Sequence, residues 1–152
     1  MIKSTKLKKF KCFHKEVTFP LAKINLLTGI NGRGKSSFLQ SILLIRQSIE
    51  EQDNLKKIIF NGSCVNLGTF YDAKNRKEVT DSFIEINHQT NSGELSFILG
   101  RDDKDDMIGL IINSFQENLI LDFLNIHYIA ADRVGPQEFY LKSTLPKFIN
   151  VG

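Results

Sequence analysis

Apolar residues recur along this chain at two spacings, and the changes between them mark out its elements. Val17 and Phe19 alternate with Thr18 as a half-buried strand does, whereas Leu7, Phe10 and Phe13 share no period of two. The first twenty residues therefore predict two extended segments joined near His14-Lys15-Glu16, the first bulged or broken in its pairing. Ile24-Asn25-Leu26-Leu27-Thr28 predicts a short buried strand. Phe38, Ile42, Ile45 and Ile49 then fall at helical spacing, with Leu39 and Leu43 widening the stripe, so a helix is expected from Lys35 to about Glu51. Gln52-Asp53-Asn54 should end it.

Beyond that helix the period returns to two. Ile58-Ile59-Phe60 predicts a short strand meeting a turn at Asn61-Gly62, and the polar run Ala73 to Glu78 predicts a surface loop. Phe83-Ile84-Glu85-Ile86 and Leu95-Ser96-Phe97-Ile98-Leu99 predict a hairpin turning through Asn91-Ser92-Gly93, and Met107 to Ile112 a further strand. Leu119, Ile120, Phe123 and Leu124 share a helical face, so a second helix is expected over Gln116 to Asn125. Ile126 to Ala131 follows as a second central strand, ending in the polar loop Asp132 to Gln137.

One stretch carries chemistry. Gly29-Ile30-Asn31-Gly32-Arg33-Gly34-Lys35-Ser36 fits G-x-x-x-x-G-K-[ST], the loop that cradles nucleotide phosphates, set between a predicted strand and a predicted helix. The glycines allow dihedrals that side chains forbid and a close approach of backbone to phosphate. Successive N–H groups form an anion nest that the helix N-terminus reinforces. Asn31, Gly32, Arg33 and Gly34 supply that nest. Lys35 should reach the β- and γ-phosphates, Ser36 should place its hydroxyl on Mg²⁺, and Ser37 stands ready for the α-phosphate. ATP with Mg²⁺ is the expected ligand.

Composition adds bounds rather than direction. With 152 residues, 41% hydrophobic and 24% charged, the chain has the make-up of one ordinary globular domain. A net charge of +3 does not by itself argue for a nucleic-acid partner. No apolar run is long enough to span a bilayer, so no membrane partner and a cytoplasmic location are expected. Cys12 and Cys64 form no metal-binding spacing and read as buried or half-buried thiols. The acidic run Arg101 to Asp106 lacks the Gly and Glu of a calcium loop and reads as a solvated turn. Lys3, Lys6, Lys8, Lys9, Lys11 and Lys15 crowd the start. They read either as a charged sheet edge or as one or two cations facing a nucleotide base or a nucleic acid.

Hydrolysis needs an acid at a strand end to complete the metal shell. Asp122 follows a helical run and Asp132 a predicted strand, which makes Asp132 the better candidate of the two.

Leu7 to Phe13 (L-K-K-F-K-C-F) and Lys23 to Ser37 together resemble the start of ABC-type ATPases of the SMC, RecF and OLD group. Leu39 to Ser48, Asn61 to Tyr71 (N-G-S-C-V-N-L-G-T-F-Y) and Ile126 to Gln137 resemble a bacterial subgroup of AAA-type, ABC-like ATPases. The resemblance implies an α/β P-loop NTPase fold, the ABC-type first lobe, with a mixed and partly antiparallel sheet around the phosphate-loop helix. It implies a single ATP-binding lobe over residues 1–152, the N-terminal part of a longer ATPase, because the signature motif, the strand ending in Asp-Glu and the switch histidine are missing. In that family two heads sandwich two ATP molecules and hydrolyse them on dimerisation, which implies a homodimer, with nucleic acid or a nuclease as further partner in DNA/RNA processing or phage defence. Gln137 would then stand where the γ-phosphate is sensed, with Gln116 as the alternative, and Lys11, Cys12 and Phe13 would lie near adenine and ribose. The competing expectation is a self-contained, kinase-like phosphotransferase in which Asp132 completes the metal site.

Overall fold

In a computed structural model, residues 1–52, 55–78, 83–113, 123 and 125–128 are described. Alternation decides the sheet. β1 (Ile2–Lys8), β2 (Val17–Pro20), β3 (Lys57–Ile59), β4 (Ile84–Thr90), β5 (Glu94–Arg101) and β6 (Ile108–Ile111) form one six-stranded sheet in the order β2-β1-β4-β5-β6-β3. Every pairing among these strands is antiparallel. The chain is thus mixed α/β, and its described sheet is antiparallel throughout.

The register places apolar residues opposite one another on one face: Leu7 faces Ile86, Ile86 faces Phe97, and Ile84 faces Leu99. All of these are fully buried and belong to one core that also takes in Leu43, Leu44 and Ile45 of α1 (Lys35–Glu50). The opposite face is polar, with Lys6 across from Asn87 and Lys8 across from Glu85, the last pair joined by a 2.8 Å ion pair. Besides Thr90 at the end of β4, two polar residues intrude on the core face, Thr5 and His88. They face each other in the register and bond, Thr5 Oγ1 to His88 Nδ1, at 2.9 Å. Burial holds the His88 imidazole neutral, its pKa pushed down to about 3. Phe123 stacks edge-on to that ring.

Most expected elements are present: the hairpin of β4 and β5, the short β3, β6, and a helix ending at Glu50. The expected irregularity of the first segment takes the form of a register shift between Ile2 and Ser4 and a turn beyond Lys8 that brings Phe13 N–H to Phe10 C=O.

Four expectations fail. Ile24 to Thr28 is neither a strand nor buried: Ile24 is 90% and Leu26 86% exposed. Among the described residues no strand pairs with it, and Asn25 folds back to bond both backbone groups of Ala22 instead. The lysine-rich β1 is not a sheet edge, because β2 covers one side and β4 the other. The run from Ala73 is not all surface, since Ala73, Lys74 and Asn75 are buried behind a short helix, α2 (Phe70–Ala73). Cys12 is exposed. Of the expected second central strand, Ile126 to Tyr128 carry no strand, whereas Ile129 to Ala131, like most of the expected helix Gln116 to Asn125, lie outside the described residues.

The helical stripe is also rotated from its apolar reading. Leu39 is exposed, whereas Ser41, Gln47 and Ser48 are buried. Hydrogen bonds explain the substitution of polar for apolar. Gln47 Nε2 donates to Ile59 C=O at 2.7 Å, and its Oε1 accepts from Val65 N–H at 2.8 Å. Ser48 Oγ accepts from Ile59 N–H at 2.9 Å. The helix is thereby fastened to β3 through satisfied polar groups, which a count of apolar positions does not see.

Candidate functional site

α1 starts at Lys35, and its N-cap is Gly34 in the left-handed conformation, φ 96°, with no side-chain cap. Gly29 and Gly32 also have positive φ, 129° and 79°. This backbone turns the loop tightly enough to leave the first N–H groups of the helix uncapped by side chains, so they can meet an anion. Asn31, Gly32, Gly34, Lys35, Ser36 and Ser37 line one cavity of about 250 Å³. Six of the seven loop residues expected from the sequence thus share one space, and Arg33 stands exposed beside it.

Lys35 Nζ curls over the loop and donates to the carbonyls of Gly29 at 2.7 Å and Ile30 at 2.9 Å. Among the described residues neither Lys35 nor Arg33 makes an ion pair. The positive charge is therefore held in place by neutral carbonyls, where a phosphate oxygen can compete for it. Ser36 Oγ is exposed on the cavity wall and has no hydrogen-bond partner among the described residues.

The loop rests on the turn after β1. A Cβ on Gly34 would overlap the Phe13 ring and lie 2.8 Å from Cys12 Sγ. Phe13 packs edge-on to Phe19, and Phe19 packs on Phe38 of α1, so the aromatic stack ties β2, the turn and the helix together. Lys11, on the same turn, is half-buried, and desolvation lowers its ammonium pKa despite the nearby Asp72 carboxylate. It faces a second, larger cavity that also borders Ser37.

Gln116, Asp122, Asp132, Arg133 and Gln137 lie outside the described residues. Among the described residues, no three or more metal-ligating side chains converge. The donor at hand for a hard cation is Ser36 Oγ, which fits a Mg²⁺ ion held mainly by phosphate oxygens and water. Apolar periodicity missed the wall made by Asp72 to Lys77. The one signal for it is Thr69-x-x-Asp72, a capping pattern ahead of the polar run.

No helix among the described residues is long and apolar enough to cross a membrane. No protein-family model matches the sequence, and no curated protein matches it either.

Proposed function

We propose that this chain binds a nucleoside triphosphate, ATP with Mg²⁺, on the loop Gly29–Ser36, as the phosphate-binding lobe of a P-loop NTPase. The observation that carries the reading is the convergence on one cavity of uncapped helix N–H groups, the Lys35 ammonium and the Ser36 and Ser37 hydroxyls. These are the donors a polyphosphate needs, and a motif match alone would not bring them together. Lys35 binds the outer phosphates, Ser36 contributes a ligand to Mg²⁺, and Ser37 and the loop N–H groups hold the inner phosphates. The metal supplies charge neutralisation of the phosphate oxygens.

The resemblance to ABC-type ATPases of the SMC, RecF and OLD group extends the proposal. Hydrolysis follows dimerisation of two heads, in a longer protein serving DNA/RNA processing or phage defence in the cytoplasm, with nucleic acid or a nuclease as partner. Gln137 senses the γ-phosphate in that arrangement. Lys35→Ala tests the core of the reading by calorimetric titration with Mg·ATP. Loss of a charge-assisted contact worth about 1.5–3 kcal/mol weakens binding roughly 10- to 150-fold. Equal affinity in variant and parent overturns it.

A further inference from the structure

The turn between β1 and β2 is held in a conformation that its residues resist. Lys9 and Lys11 both have left-handed backbones, φ 58° and 51°, which any residue with a Cβ disfavours. Three hydrogen bonds to the last residue of α2 and to Asn75 beyond it enforce it. Lys11 N–H donates to Ala73 C=O at 2.7 Å, Asn75 N–H to Lys9 C=O at 2.8 Å, and Asn75 Nδ2 to Lys11 C=O at 2.6 Å. Backbone strain fixed this firmly is a common mark of a functional surface.

What the lacing achieves is a shared wall. Lys11, Cys12, Asp72, Asn75 and Arg76 line a cavity of about 490 Å³ together with Ser37. Ser37 also lines the cavity of the phosphate loop, so the two spaces meet at the first turn of α1. Cys12 Sγ stands 4.0 Å from Ser37 Oγ at that junction.

Asp72 is the unexpected member of an otherwise basic wall. Its Oδ2 accepts from Thr69 N–H at 2.9 Å and Thr69 Oγ1 at 2.8 Å. Its Oδ1 accepts no hydrogen bond among the described residues. The Thr69 backbone donor, then the hydroxyl, hold the carboxyl below its usual range, so it is ionised at neutral pH. An ionised carboxylate repels phosphate but accepts from a hydroxyl. A triphosphate seated with its α-phosphate at Ser37 directs its neutral nucleoside, not its charge, toward this wall.

We propose that Asp72 Oδ1 accepts a hydrogen bond from the ribose 2′-hydroxyl of the bound nucleotide, so that the cavity selects ribonucleoside over 2′-deoxyribonucleoside triphosphates. This rests on the reading of Gly29–Ser36 as the phosphate loop. Lys11 and Arg76 help hold the carboxylate ionised.

The test compares affinities of Mg·ATP, Mg·dATP and tripolyphosphate for the parent chain, Asp72→Asn and Lys35→Ala. Asp72→Asn keeps an oxygen for Thr69 and turns an amide toward the cavity. The parent is expected to favour ATP over dATP about tenfold, the loss typical of one charged hydrogen bond. Asp72→Asn brings that ratio close to unity while tripolyphosphate binding is unchanged. Equal parent affinity for ATP and dATP overturns the inference, and needs no variant to fold. So does a preference that survives in Asp72→Asn, or a single-stranded oligonucleotide that displaces ATP with no ribose preference seen. Tripolyphosphate binding that depends on Lys35 with no gain from the nucleoside removes this inference alone. No binding of either triphosphate, or binding indifferent to Lys35→Ala, removes the phosphate-loop reading with it.

Discussion

Gly34→Ala isolates how tightly the candidate phosphate loop is built onto the β1–β2 turn. Two costs add. Gly34 has φ 96°, and forcing a residue with a Cβ into that region costs roughly 1–2 kcal/mol. The new methyl also overlaps Phe13 Cζ and lies 2.8 Å from Phe13 Cε1 and Cys12 Sγ. Phe13 is buried and wedged edge-on to Phe19, with ring centroids 5.4 Å apart, so its ring has little room to yield. Overpacking of this kind costs about 1–3 kcal/mol, for a total of roughly 2–5 kcal/mol. Gly32→Ala is the internal control: φ is 79°, but nothing lies within 4 Å of its Cβ, so only the backbone cost of about 1–2 kcal/mol applies. Urea unfolding followed by circular dichroism measures both. Phe13→Leu should relieve most of the steric part in a double variant. The reasoning is refuted if Gly34→Ala costs no more than Gly32→Ala, or if its penalty is undiminished beside Phe13→Leu.

Two further outcomes follow from the core. His88 is neutral when folded, its pKa about 3 against an ordinary 6.5, so protonation favours the unfolded chain. Its stabilising effect is complete above pH 6.5 and is lost on acidification toward pH 3, about 2 kcal/mol of it between pH 7 and 5. Urea midpoints across that interval should slope in the parent and flatten in His88→Leu, and equal slopes would contradict the assignment. Gln47→Met strands Ile59 C=O and Val65 N–H under the helix, at a cost of roughly 2–4 kcal/mol by chemical denaturation. A change below about 0.5 kcal/mol, the range of inert surface substitutions, would show that the Gln47 bonds do not fasten α1 to β3.

The parts of this molecule that were legible in sequence are those where one local rule acts alone. Ile84, Ile86, Leu95 and Phe97 alternate because the face they cover is buried, and Gly93 turns the hairpin as expected, accepting from Thr90 N–H at 2.7 Å. The tight turning of Gly29 to Gly34 was legible because Gly29, Gly32 and Gly34 adopt positive φ, which a residue without a Cβ does at no steric cost. Pairing partners were not legible. Ile24 and Leu26 have the composition of a buried strand, but burial requires a neighbour, and none of the described strands lies beside them. Conversely, Lys74 and Asn75 look like loop residues and are buried, because Asn75 spends its amide on Lys11 C=O and its carbonyl on Lys77 N–H. The same long-range lacing hid the wall containing Asp72, 61 positions away from Lys11 by number yet across the same cavity.

The most direct test of the central claim is calorimetric titration of this 152-residue chain with Mg·ATP, with phosphate release followed in the same sample. The account predicts saturable binding of one nucleotide per chain, without turnover, and its loss in Lys35→Ala. A chain that takes up no triphosphate, or binds it equally well without the Lys35 ammonium, would contradict the account.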